Sequence, residues 1–371
     1  MSDDPFRSLP GAVVADGAVQ HYGAPLAEQR SLDAGNAAVS LSHRGIVQVW
    51  GEDRLTWLNS MTSQALSGLQ PGESVETLLL DPQGRIEHAV RVVDDGQCAW
   101  LLVDEGHAGP LAEYLNRMRF ALRVEVREVS DRYGAVLVFD GGGALPVLRG
   151  LGSAEVEWRD PWSSVLPGGV QYAKHSADHP GANWSAVQLV FRREDLGAVA
   201  SLVSTGKIRA AGMLALDALE VRAWRPSQHG DLDDRSLPHE FDWLRTAVHL
   251  NKGCYRGQET VAKVHNLGHP PRRLALLHLD GSGGELPGPG ALVYAAGAEP
   301  ASRPLGRVTR SALHYEWGGI ALALLKRATP EDALLEVALG ETGEERIAAT
   351  QETIVPPDAG ATREIPRLKR L

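Results

Sequence analysis

Between residues 252 and 259 the chain reads Lys252-Gly253-Cys254-Tyr255-Arg256-Gly257-Gln258-Glu259, a thiol set between two cations and two glycines. No other stretch crowds reactive side chains so densely. A cation on each side of Cys254 favours the thiolate, the form that attacks electrophiles or binds metal. Gly253 and Gly257 let the backbone turn tightly and approach another molecule closely. The competing reading is a buried cysteine in a glycine-punctuated turn with Lys252 and Arg256 merely solvated, because most cysteines behave as small apolar side chains. Spacing alone leaves both readings open.

The remaining chemistry is sparser. Cys98, the only other cysteine, lies in the apolar run Cys98–Val103 and reads as core. Two thiols give neither a disulfide framework nor four ligands for an iron–sulfur cluster or structural zinc. Two histidine pairs stand four apart, His175/His179 and His265/His269, a spacing that binds zinc on a helix. Pro180 and Gly181 abut the first pair, and Gly268, Pro270 and Pro271 crowd the second, so neither pair reads as a metal site.

Positioning the octet is the task of an α+β chain. Ile46 and Val49 read as a strand, followed by a helix with Asp53 as N-cap and Leu55, Leu58 and Met61 on one face, expected to end near Gly68. Then come strands at 76–80, 86–93 and 98–103, the last two joined by the hairpin signal Asp94-Asp95-Gly96. A helix with Pro110 in its first turn and a strand at 124–129 complete a ferredoxin-like order. Residues 150–185 read mostly as loop; a strand at 186–190 and helices over 195–203 and around 214–221 follow, the latter stopped by Pro226. Beyond residue 270, short strands between Gly/Pro turns predict a small β-barrel.

With 371 residues the chain is long enough for two or three domains. A net charge of -10 and a pI near 5.7 argue against direct, strong nucleic-acid binding and against an anionic membrane surface, since both need a basic face. The acidic start without an apolar leader, and the absence of a run long enough to span a bilayer, set the expectation of a cytoplasmic protein with no membrane association.

Three stretches together resemble a known family. The octet is close to the KGCYxGQE signature of the YgfZ-type folate-binding proteins that serve iron–sulfur enzymes, relatives of the glycine cleavage T-protein (aminomethyltransferase). Upstream, Ser40-Leu41-Ser42-His43-Arg44-Gly45 with Gly51-Glu52-Asp53 is similar to that family's N-terminal segment. Downstream, Pro304-Leu305-Gly306-Arg307-Val308-Thr309-Arg310-Ser311 resembles its barrel signature. The resemblance implies a three-domain cloverleaf of T-protein type, two antiparallel sheet/helix (ferredoxin-like) domains plus a C-terminal barrel around a central channel. On it we expect a discontinuous first domain of residues 1–48 with 130–150 and 228–268 carrying the octet, a folate-side domain of 49–129 with 151–227, a barrel at 270–345 and a flexible tail at 346–371.

The implied cofactor is tetrahydrofolate or a derivative, held where the domains meet. Cofactor-binding residues expected on this basis are Asp217, Glu220, Arg222 and Trp224, with Tyr255, Gln258 and Glu259 from the octet; Cys254, Lys252 and Arg256 are the expected catalytic group. T-proteins carry a pterin-binding glutamate where this chain has Arg222, so Glu220 is the nearby acid. They also place an aspartate after a Gly-Gly-Ile turn, where Gly84-Arg85-Ile86 is followed by Glu87, His88 and Ala89. Glu87 would reach that place only from the opposite face of a strand. The resemblance therefore implies an accessory protein for iron–sulfur cluster assembly or repair. Its partners would be folate and iron–sulfur client enzymes or assembly proteins, with tRNA-modifying enzymes among the clients. The alternative is a folate-dependent aminomethyltransferase or demethylase of T-protein type.

Overall fold

The computed structural model describes residues 4–174, 179–281, 284–299, 302–340 and 345–363. A hairpin, β1 (Val13–Ala15) and β2 (Ala18–His21), leads to α1 (Pro25–Asp33) and β3 (Ala37–Ser40). The chain then builds a separate unit: β4 (Gly45–Trp50), α2 (Arg54–Met61), β5 (Ser74–Leu80), β6 (Ile86–Asp94), β7 (Cys98–Val103), α3 (Ala108–Met118) and β8 (Glu125–Glu128). It returns with β9 (Tyr133–Phe139), α4 (Ala144–Arg149), β10 (Ala154–Arg159), β11 (Ala186–Arg192), α5 (Leu196–Ser204), β12 (Arg209–Ala210), α6 (Met213–Arg222) and the single turn α7 (Gln228–Asp231). After α8 (Gln258–Leu267), six strands close a barrel: β13 (Arg272–Leu279), β14 (Leu292–Ala295), β15 (Gly306–His314), β16 (Gly318–Lys326), β17 (Leu335–Leu339) and β18 (Glu345–Thr353).

The inserted unit has strand order β5-β6-β7-β4-β8, every pairing antiparallel. This is the expected ferredoxin-like arrangement with one additional edge strand, β5. Leu111 and Leu115, four apart on α3, bury against its apolar face with Val47, Val90 and Leu101. On the opposite face, Leu78, Val93, Trp100 and Leu102 join a core that runs through α6 and into the barrel residues Leu274 and Ile320. The three units therefore share one interior rather than touching through polar surfaces.

The first sheet has order β10-β11-β9-β3-β12. Residues 154–210 thus share a sheet with β3 and β9, and not with residues 49–129 as the sequence led us to expect. Strand β11 pairs with β9 along its whole length, and both are buried apolar strands. Such runs carry no period that names their neighbour. Residues 345–353 are the sixth barrel strand, pairing with β13 and β17, where a flexible tail was expected. Its mostly polar, half-exposed sequence hides a strand required for closure. The tail residues 364–371 and His175 lie outside the described residues.

Helix α2 stops at Met61, short of Gly68. Asp53 does not cap it; its carboxylate accepts from the Arg123 guanidinium instead. Lys252, far along the chain, bonds carbonyls at and just beyond that end.

Candidate functional site

The Lys252 ammonium donates to three carbonyl oxygens, of Asn59 at 2.6 Å, Thr62 at 2.6 Å and Gln64 at 2.7 Å. It fills the carbonyl end of α2, where a cation is favoured. Burial draws its pKa down to about 8. Arg256 forms a fork on Glu87 of β6, at 2.7 and 3.2 Å, and lies over the Tyr114 ring of α3. The two cations flanking Cys254 in sequence are therefore engaged by the inserted unit. Their structural part is to fix the loop that carries the thiol, and the expected activation of Cys254 by direct pairing has no counterpart in these contacts. Glu87, discounted from the sequence because it faces away from its neighbours on the strand, is the residue that receives Arg256.

Cys254 is exposed, while Tyr255 beside it is buried in the shared core with its hydroxyl pKa raised by that burial. Gly257 has φ +83°, and a Cβ there would lie 2.6 Å from the Asp81 carbonyl oxygen and 3.0 Å from Gly84 Cα. Only glycine allows this close approach to the turn before β6. Gly253 has open space around it and needs no such freedom. The Gln258 side chain closes the loop on itself by donating to the Lys252 carbonyl at 3.3 Å, and Glu259 stands exposed in the first turn of α8.

A second feature lies where the units meet, a cavity of about 420 Å3 walled by the β1–β2 hairpin, His43 and Arg44, the β7–α3 loop, α6, α7 and β15. Arg310 of β15 is its buried keystone. Its guanidinium bonds Glu220, reaches Asp231 at 2.9 Å and the Arg225 carbonyl at 2.7 Å, and stands 3.8 Å from Asp217. Burial opposes the Arg310 charge, and Asp231, Glu220 and Asp217 more than restore it. Asp217 leaves 35% of its side chain open to the cavity. Desolvation raises its pKa to about 6 against the pull of Arg310, with Glu220 adding to the rise.

Of the expected cofactor residues, the structure brings Asp217 to this cavity, with Glu220 directly behind it. Arg222 is elsewhere: it forms a fork on Asp33 at 2.8 Å, beside Tyr315. Trp224 is fully buried core, edge-on to His179. Neither lines the cavity. Helical geometry explains the split, since positions 217 and 222 stand about 140° apart around an α-helix whereas 217 and 220 stand about 60° apart.

Sequence reasoning missed His43, Arg44, Asp104, His229 and Arg310 as wall residues. Nothing in the sequence singled out Arg310, since its strand also carries Arg307, Thr309, Ser311 and His314. Burial works against ionisation of Asp104, yet Arg91, Arg44 and the His229 amide hold its carboxyl well below the usual range. Nearby, His88 and His107 meet edge to face with their Nδ1 atoms 3.3 Å apart, so one donates to the other. Of the paired histidines, His265 meets the Tyr172 hydroxyl at 3.0 Å, His179 meets Arg245 at 2.7 Å, and His269 meets the Ala359 carbonyl at 2.8 Å.

Burial draws His43, His88 and His239 down to about 4. Their unfolded value is near 6.5, so their contribution to stability is complete above pH 6.5 and is lost as the pH falls towards 4. Asp217, raised instead, changes in the opposite sense over its own window. In an NMR titration the ring resonances of these three histidines are expected to move with midpoints near 4; midpoints near 6.5 would contradict their burial.

Compared with solved structures, the chain superposes on the glycine cleavage aminomethyltransferase T of Bartonella henselae with a TM-score of 0.73 over 97% of both chains, at 16% identity. Among curated proteins it is 27% identical over 256 residues to the mitochondrial iron–sulfur cluster assembly factor IBA57 homolog of Mycosarcoma maydis, and 22% identical over 276 residues to an aminomethyltransferase of Synechococcus. The chain has the fold of the T-protein (aminomethyltransferase). A chloroplastic protein of Arabidopsis thaliana, named as a transferase, is 26% identical over 286 residues. The matches span 72% of this chain but 62% of the Arabidopsis protein, and 63% of this chain but 55% of the Mycosarcoma protein. The aminomethyltransferase match covers 69% of this chain and 72% of that protein. No protein-family model matches the chain. Among the described residues, no helix is long and apolar enough to cross a membrane.

Proposed function

We propose that this chain binds tetrahydrofolate or a one-carbon derivative in the cavity at the meeting of its three units, and that it serves assembly or repair of iron–sulfur clusters in client enzymes, with Cys254 as the residue it presents to them. The single observation that carries the reading is the pairing of an exposed thiol on a rigidly anchored loop with a separate cavity holding an accessible carboxylate, Asp217. A pterin offers adjacent N–H donors along one edge, and a carboxylate accepts two of them at once. Arg310, itself bonded to Glu220, stands 3.8 Å from Asp217. Clients that modify tRNA, and a cytoplasmic setting, belong to the same proposal; the curated relatives from Arabidopsis and Mycosarcoma are chloroplastic and mitochondrial by name.

A T-protein-like transferase needs a group that handles the folate proton. On β6 the acid Glu87 is engaged by Arg256, and His88 is bonded to His107, which favours the accessory role over turnover. The test is a calorimetric titration of the purified protein with tetrahydrofolate. Asp217→Asn is expected to weaken binding at least tenfold, about 1.4 kcal/mol, with the melting temperature little changed. Equal affinity in the variant removes Asp217 from the pterin site. In cells, Cys254→Ala is expected to lower client iron–sulfur enzyme activity without loss of folded protein; normal client activity would overturn the assembly role.

A further inference from the structure

The loop between α3 and β8 carries a tip that the fold leaves uncovered. Phe120 is 81% exposed and Leu122 42%, with Ala121 exposed between them. Phe120 also has φ +43°, in the left-handed region that a bulky side chain avoids because its Cβ crowds the backbone. The chain thus accepts backbone strain at a residue whose ring adds little to its own core. Strain of this kind collects at binding sites and ligand clamps.

The base below the tip is firmly held. The Arg123 backbone N–H and guanidinium each donate to Asp53 at 3.0 Å, and the guanidinium reaches Glu52 as well. Gly51, at φ +112°, lies so close that a Cβ there would stand 2.0 Å from the Arg123 carbonyl oxygen. Within the tip, the Leu122 N–H donates to the Arg119 carbonyl at 3.0 Å. Phe120 is therefore presented from a braced turn, which lowers the ordering cost of any contact it makes. Arg117 and Arg119 precede it, exposed and without an ion pair among the described residues. The neighbouring charges are engaged or set aside: Arg127 pairs with Glu125, while Glu113 and Glu128 share a shallow hollow with Arg117 on the flank of α3.

We propose that Phe120 and Leu122 form a knob by which this chain docks onto a partner protein, into an apolar socket bordered by Asp and Glu side chains. Aromatic and arginine side chains carry most of the energy of protein contacts, and the tip sets both side by side. A flat anionic membrane is the poorer match. It would meet Glu52, Asp53, Glu125 and Glu128 around the base together with the arginines, whereas a socket takes in the tip alone. The knob also stands near the octet. Tyr114 of α3 accepts from Arg256 at 3.3 Å, and Phe120 follows six residues later, about 9 Å along the helix direction. An ordinary interface covers about 800 Å2 on each partner, wide enough to span both. Under the assembly reading above, on which this assignment alone rests, the partner is an iron–sulfur client or assembly protein.

The test puts the photo-crosslinker p-benzoylphenylalanine in place of Phe120 in the full chain, irradiates the cells and identifies the adduct by peptide mass spectrometry. An adduct to another protein, through an apolar segment that carries Asp or Glu, is expected, and the paired changes Arg117→Glu and Arg119→Glu are expected to lower its yield about tenfold. The same probe in place of Leu334, 65% exposed beside β17 of the barrel, is expected to leave that protein unlabelled. An adduct to lipid or to a second copy of this chain, no adduct at all, equal labelling from both positions, or a yield indifferent to the charge reversal each overturns the proposal. Phe120→Gly separates docking from folding. Glycine takes φ +43° without strain, so the variant's melting temperature is expected to equal or exceed that of the natural sequence. A marked drop would mean that the ring is held by its own fold, and would overturn the knob. If the captured protein neither holds nor assembles an iron–sulfur cluster, the knob stands and the assembly assignment of its partner fails.

Discussion

Arg310→Leu is expected to lower the unfolding free energy by about 3–5 kcal/mol, the usual result of removing one partner from a buried ion cluster. Leucine fills part of the volume and removes the cation, which leaves Glu220 and Asp231 buried without their shared partner. The Arg225 carbonyl loses its donor as well. Arg310→Lys keeps the charge but one ammonium cannot reproduce a planar fork among two carboxylates and a carbonyl, so an intermediate loss is expected. Urea unfolding at neutral pH gives the measurement. A loss below about 1 kcal/mol for the leucine variant would mean that the cluster contributes no more than a surface pair. Because Arg310 reaches from the barrel into α6 and α7, its loss should also loosen the barrel from the other units. That appears as a second unfolding step or a changed denaturant slope.

Gly257→Ala carries the second large effect, an expected loss of about 1–3 kcal/mol from left-handed backbone strain, with steric displacement added to it. The methyl group would meet backbone, the Asp81 carbonyl at 2.6 Å and Gly84 Cα at 3.0 Å, so no flexible side chain can yield. The octet must then move away from the turn before β6, which pulls Arg256 off Glu87. Gly253→Ala is the internal comparison: nothing lies within 4 Å of its Cβ position, and the change is expected to stay within about 0.5 kcal/mol. Equal effects from the two glycines, in thermal or denaturant unfolding, would refute the geometric distinction between them.

Those two glycines also mark how far the sequence could be read. Both looked like turn residues, and only the fold shows that one is confined by a neighbouring turn while the other faces open space. Lys252 and Arg256 looked like activators of the cysteine between them. Their partners lie 193 and 169 residues away, at Asn59 and Glu87. Arg222 and Trp224 were grouped with Asp217 on the family resemblance, although the turn of the helix sends Arg222 to Asp33 and Trp224, at φ +57°, lies buried in the core. The boundaries of the first two units failed for a related cause, since a buried apolar strand pairs equally well with any edge of suitable length.

The sequence by itself determined the kinds of structure present: strands and helices from their periods, hairpins from Asp and Gly, a small barrel from short strands between Gly/Pro turns, and one octet dense enough in chemistry to stand out. These follow from local sterics and hydrophobic alternation, which act over a few residues and are written directly in the chain. Only the tertiary structure decided what each charge faces, because a guanidinium or a carboxylate is assigned its role by whichever groups lie within about 3–4 Å in space. Spacing left Cys254 open between an activated thiol and a buried small residue, and the fold exposes it. Its flanking cations became anchors, Lys252 on carbonyls at the end of α2 and Arg256 on Glu87, an acid the sequence reading had discounted.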